Sequence, residues 1–267
     1  MDNTLRNQDM LKQIFKDSPE WLTDRVILLG KSGSRAYGTD TENSDKDYKG
    51  ICIPPLSYHL GLDTFNEYNN TGGKNYKNTK DDIDVTISHL SKFVKDAMKG
   101  VPNNIEILFL RDEDIHVTPL GKVLIENRHF FLSKQIYRKF GGYAYSQMKR
   151  LENKKGDSTL IEQFGYDTKD YMHCVRLLTS AIEILETGDF STYRPNRSFL
   201  MACRKGEHTF EEAMANIEKY DAQLKKAYEE STLPKTPDYE KVNDLLIQIN
   251  MEGLRLMEKE KNGGVEQ

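Results

Sequence analysis

The chain is short of the features that would organise a secreted, membrane-embedded or zinc-centred protein. Its three cysteines, Cys52, Cys174 and Cys203, are odd in number and far apart, with no CxxC spacing or Cys/His cluster. That excludes a disulfide framework or a thiolate zinc site as the organising element. No run approaches the roughly 18 apolar residues needed to cross a bilayer. The opening MDNTLRNQDM is polar and acidic, unlike a basic-then-apolar leader. Together these predict a soluble, cytoplasmic protein with no membrane partner. A surplus of positive charge is also missing: 38 basic residues face 42 acidic ones, a formal net charge of -4. Such a chain does not coat nucleic acid indiscriminately, so any basic surface must be local. The 267 residues, 37% of them hydrophobic, can bury a core in one large or two modest domains.

Periodicity sketches the elements. TLRNQDMLKQIFKDSPEW spaces Leu5, Met10, Leu11, Ile14 and Phe15 helically before Pro19. RVILLG and DYKGICI read as strands that pair, the second ended by Pro54 and Pro55. Residues 66–80, with almost no aliphatic side chains, read as an exposed loop. DIDVTI alternates Asp82, Asp84 and Thr86 against Ile83, Val85 and Ile87, and SHLSKFVKDAMKG follows as an amphipathic helix stopped at Gly100. Beyond about residue 119 the pattern is helical, which predicts one domain over 1–118 and a helical one over 119–267. Asp167 and Gly188 bracket one helix, Thr209 and Glu212 have capping-box spacing, and Thr236 with Pro237 marks another start. The lysine-rich end is expected to fray.

The chemistry concentrates in ILLGKSGSRAYGTDTENSDKDYKGICI, residues 27–53. GKS suggests a phosphate-binding P-loop, but the full pattern needs a glycine where Arg25 stands, at the start of a strand. The better reading begins at Gly33 and Ser34. A glycine after a strand lets backbone amides approach a phosphate, a serine hydroxyl adds a hydrogen bond, and Arg35 adds a cationic fork. Asp45 and Asp47 then head the next strand, and alternation points both carboxylates one way. Hard oxygen ligands on one face suit Mg2+ or Mn2+, and phosphoryl transfer uses two such ions about 3.5 to 4 Å apart. DIDVTI can supply a third carboxylate. Asp84 is favoured, although period-two logic alone does not separate it from Asp82.

These residues resemble the GS and DxD signature of the DNA polymerase beta superfamily of nucleotidyltransferases. The branch is the RNA repair pathway polymerase-beta-like family of bacteria and phages, with further similarity at KGVPNNIEILF, GGYAYSQMKRLE and GYDTKDYMHCVRLLTSAIEILETG. The resemblance implies an α/β (α+β) fold: a minimal nucleotidyltransferase core with a mixed sheet, followed by a C-terminal helical region. It implies that Asp45, Asp47 and Asp84 are catalytic and bind two Mg2+ or Mn2+ ions. The GS turn would hold the triphosphate of an NTP, and a nucleoside monophosphate would pass to an acceptor hydroxyl, an RNA 3′ end among the candidates, with release of pyrophosphate. A protein or small-molecule acceptor, or a nucleotide- or RNA-binding module without turnover, are the alternatives.

Two weaker constellations remain. Lys169, His173 and Arg176 share a helix face and can bind nucleotide phosphates, or form a salt-bridged edge. Residues 126–155 interleave basic and aromatic residues, and Tyr143, Gln147 and Arg150 share a face suited to nucleic-acid contact, the alternative being ordinary helix packing.

Overall fold

The structure, a computed structural model, describes residues 14–70 and 82–263. The predicted N-terminal helix lies mostly outside the described residues. A mixed five-stranded sheet has the order β3-β4-β2-β1-β5, the mixed sheet that was expected for an α/β fold. β1 (Val26–Ser32) and β2 (Lys46–Cys52) pair antiparallel, as the two apolar runs predicted. β4 (Ile83–His89) runs parallel to β2, and β3 (Glu67–Asn70) and β5 (Ile115–Val117) run antiparallel along the edges.

Side-chain parity divides the sheet into two faces. Leu29, Tyr48, Cys52, Ile83, Val85 and Ile87 point to one side and close a core with Ile14, Phe15 and Leu22. Each such burial contributes roughly 1.5–3 kcal/mol. Parity then turns Asp47, Lys49, Asp84 and Thr86 to the other side. A one-residue slip of β4 would exchange the two sets, so the apolar core is what fixes the position of the acids.

Two readings of strand content are corrected. Residues 67–70, expected in the exposed loop, form edge strand β3; one side of an edge strand faces water, so it needs few aliphatic residues. β5 was not expected because three residues carry too little periodicity. Residues 71–81, the rest of that loop, lie outside the described residues.

The helices are α1 (Leu90–Met98), α2 (Pro102–Leu108), α3 (Pro119–Glu126), α4 (Gln135–Glu152), α5 (Ser158–Phe164), α6 (Thr168–Thr187), α7 (Arg197–Arg204), α8 (Phe210–Glu230) and α9 (Tyr239–Gly263), besides one-turn pieces. The caps of α6 are those expected. Asp167 Oδ1 accepts from the backbone N–H groups of Lys169 and Asp170 at 2.9 and 3.0 Å, and Gly188 closes the end at φ 68°. The Thr209/Glu212 capping box opens α8. α9 departs from expectation at its start: it begins at Tyr239 behind Asp238, whose carboxylate accepts from Lys241 N at 3.3 Å, and not at Pro237.

The chain forms two compact units. The first, the sheet unit, contains residues 1–96, 107–130 and 238–267; the second, helical, contains 97–106 and 131–237. The expected single boundary at 118/119 therefore differs from the observed division, which crosses at 96/97, 106/107, 130/131 and 237/238. Periodicity distinguishes helix from strand but not which helix packs on the sheet. α9 returns to the first unit, where Gly253 lies against Ile53 so closely that a Cβ would collide with its side chain.

In the helical unit α6 is the most enclosed element, with Tyr171, Met172, Cys174, Val175, Leu178, Ala181, Ile184 and Leu185 buried. Two buried ion pairs accompany it. Arg176 pairs with Glu106, and Arg194, only 2% exposed, pairs with Glu183 at 2.7 Å.

Candidate active site

The strand register brings the three acids together. β1 sets Ser32 opposite Asp47, and β4 sets Asp84 opposite Asp47 on its other flank. Asp45 stands two residues before Asp47 at the head of β2. One carboxylate oxygen from each of Asp45, Asp47 and Asp84 lies within 4.8 Å of the others, and all three residues are half-buried. Among the described residues this is the one group of three such side chains close enough to share a cation. The register also separates the two candidates for the third acid. Asp82 precedes β4, where its backbone carbonyl accepts from Lys46 N at 3.1 Å, whereas Asp84 lies directly across from Asp47.

The GS turn is built against this group. Gly33 has φ +62°, and a Cβ there would run into Oδ2 of Asp47, so both conformation and space require glycine. The one-turn helix Gly33–Tyr37 ends at Gly38, φ 72°, whose N–H bonds to Ser34 O. Thr39 N bonds to the same carbonyl at 2.9 Å. Ser34 is half-buried at the start of the turn.

Arg35 was expected to meet a phosphate. Its Nε donates to Asp45 O at 2.9 Å and its Nη2 to Ser44 O at 3.0 Å, so it clamps the loop leading into the DxD acids. Within that loop, Thr41 N donates to Ser44 Oγ at 2.9 Å. Nothing local in the sequence signals this clamp, because its partners are carbonyls about ten residues away. Sequence reasoning also missed buried Asp114, which joins Lys31 (3.0 Å) and Arg111 (2.7 Å) beside β1.

The other expected contacts are placed differently. On α6, Arg176 is committed to its buried pair with Glu106. His173 is held down to a pKa of about 3, first by desolvation and then by Arg176, Lys169 and Arg204. Lys169 is exposed, His173 half-buried and Arg176 buried, so the three side chains of this face differ in their access to solvent. On α4, Tyr143 is exposed, but the amide oxygen of Gln147 is buried without a hydrogen-bond partner. Arg150 Nε bonds Asp170 at 2.6 Å.

Strands that gather acids around a glycine-serine turn are the arrangement that the GS and DxD signature implied. The comparison with known families agrees: the model of the RNA repair pathway DNA polymerase beta family matches residues 5–248. The chain belongs to that family. An uncharacterized 38.9 kDa protein from the nrdC-mobD intergenic region of Enterobacteria phage T4 is 32% identical over 131 residues, 47% of this chain and 38% of that protein. The chain thus spans well under half the length of that relative. A crystal structure of a nucleotidyltransferase-like protein from Exiguobacterium sibiricum 255-15 is similar at TM-score 0.26 and 11% identity, covering 77% of this chain and 69% of that one. No helix among the described residues is long and apolar enough to cross a membrane.

Proposed function

We propose that the protein transfers a nucleoside monophosphate from an NTP to an acceptor hydroxyl, an RNA 3′ end, with release of pyrophosphate, and that the reaction depends on Mg2+ or Mn2+. The observation that carries this reading is the trio Asp45, Asp47 and Asp84 on two neighbouring strands, packed against a glycine that leaves room for nothing larger.

The donor set fits the group it would hold. Three carboxylates with oxygens within 4.8 Å are hard, anionic ligands that suit Mg2+ or Mn2+ and suit softer metals poorly. Asp45, Asp47 and Asp84 would hold two ions, which when bound neutralise triphosphate charge and polarise the acceptor oxygen. The chain's own residues do the rest. Ser34 and the backbone amides of the GS turn receive the triphosphate oxygens, and Arg35 holds the Asp45 loop in place. An oxygen of Asp84 takes the proton of the acceptor hydroxyl as its oxygen bonds to the α-phosphorus and the bond to the β-phosphate oxygen breaks. Catalysis is then mostly positioning and charge neutralisation, with no covalent enzyme intermediate.

The test incubates the protein with each α-labelled NTP, Mg2+ or Mn2+, and a mixture of tRNA, broken RNA and protein. Label on RNA 3′ ends, lost in Asp47→Asn, is the expected result. Label on protein would replace the acceptor, and nucleotide binding without transfer would make the chain a binding module.

A further inference from the structure

We infer that the solvent face of α4 is a docking track for a single-stranded polynucleotide. Residues 134–155 hold seven basic side chains and one acidic one, in a chain whose net charge is -4. The helix is turned so that Ile136, Phe140, Ala144 and Leu151 are buried. By helical geometry the outward face then carries two ridges. Arg138, Tyr145 and Lys149 form one; Lys139, Tyr143 and Arg150 form the other. Gly142 and Ser146 make a low floor between them.

Each part of this face suits a phosphate backbone with unstacked bases. Arg138, Lys139, Lys154 and Lys155 make no ion pair among the described residues, so their charges face solvent, whereas Lys149 and Arg150 are partly neutralised by Glu152 and Asp170. Tyr143 and Tyr145 are 49% and 56% exposed, unusual for large rings with a core nearby, and Lys149 Nζ stands 5.3 Å from the Tyr145 ring centre. Exposed rings between cations are what base stacking along a charged groove requires. The floor is open as well. A Cβ on Gly142 would meet nothing within 4 Å, and Ser146 Oγ folds back to Gly142 O at 3.0 Å. No neighbour within the chain therefore requires glycine at a mid-helix position where it weakens the helix. The ridges run about 18 Å along the axis, at 1.5 Å per residue from 138 to 150, enough for a few nucleotides.

The test measures fluorescence anisotropy of 5′-labelled 12-nucleotide RNA and DNA, single-stranded and duplex, against the full chain over a salt series. It uses no NTP or metal, so it stands or falls apart from nucleotidyl transfer. Single strands should bind better than duplexes; RNA above DNA would point to a 2′-hydroxyl contact, and equality to phosphate and base contacts alone, either of which supports the track. Arg138→Glu with Lys139→Glu should abolish binding, and Arg138→Gln with Lys139→Gln should lower the salt slope by about 1.4. A charge-matched control, Lys205→Glu with Lys219→Glu, should leave binding near wild type. Tyr143→Ala and Tyr145→Ala should each weaken binding about tenfold. Gly142→Met should raise the melting temperature while lowering affinity, a split that a structural role for the glycine would not give. The inference is overturned by wild-type protein that binds no oligonucleotide, by equal losses in the control, by duplexes binding as well as single strands, or by displacement with poly-glutamate as readily as with RNA.

Discussion

The acid group at the head of β2 and the buried ion pairs of the helical unit arrange charge differently. In the sheet unit, three carboxylates are gathered with oxygens within 4.8 Å of one another. In the helical unit, two buried arginines have an opposite partner, Arg176 with Glu106 and Arg194 with Glu183, as buried Asp114 of the sheet unit has in Lys31 and Arg111. Like charges brought together raise the energy of the folded state unless a cation joins them, while opposite charges taken out of water largely offset their own desolvation. The first arrangement is what a site for an external ion looks like; the second holds a fold together. Mutations should therefore separate activity in one unit from stability in the other.

The sharpest break is Asp47→Asn. Transfer should fall about a thousandfold, the loss of several kcal/mol of charge stabilisation, while the melting temperature stays near wild type. Unchanged turnover in a labelled-NTP assay would refute the catalytic assignment. Next comes Glu106→Ala in the helical unit, which leaves Arg176 buried without its glutamate and should cost about 3–5 kcal/mol in urea unfolding. Glu106→Leu combined with Arg176→Met should recover most of that, because removing both charges also removes the desolvation cost.

Arg35→Ala sharpens the contrast within the sheet unit. Two charge-assisted hydrogen bonds to the Asp45 loop are lost, and kcat should fall roughly tenfold to a hundredfold with KM for the NTP little changed. A rise in KM alone would show the guanidinium meeting the triphosphate instead. The last effect is shared by both units. Burial first, then His59 and Lys95, lowers the His89 pKa to about 4, while His173 lies at about 3, against an ordinary 6.5. His89 Nδ1 accepts from Ser91 N at 2.9 Å, which also requires the neutral ring. The unfolded chain takes up these protons first, so stability should decline as pH falls from about 6.5 toward 4, with the His173 contribution continuing toward 3. His89→Asn should flatten part of that slope in melting curves taken across the window.

How much of this was legible beforehand follows from what short-range pattern encodes. Alternation in DIDVTI and the apolar runs around DKD fixed two strands and the side on which their acids stand, because parity needs no knowledge of neighbours. The caps at Asp167 and Thr209 were equally local. Choosing Asp84 over Asp82 needed the pairing of β4 with β2, which a single strand does not contain. The hydrogen bonds of Arg35 and the pairing of Arg176 were not legible, because an arginine's sequence surroundings do not reveal a carbonyl ten residues on or a glutamate seventy residues back. The same reason explains the unit boundary: α9 carries an ordinary helical pattern, and only packing tells which core it closes.

That last feature bears on how the protein is made. Because residues 238–267 belong to the unit that holds the acids, a ribosome will have released the whole helical unit before the sheet unit has all of its parts. The unit that emerges first is completed last, and a nascent chain stopped near residue 237 would carry the three acids on a sheet still waiting for α9.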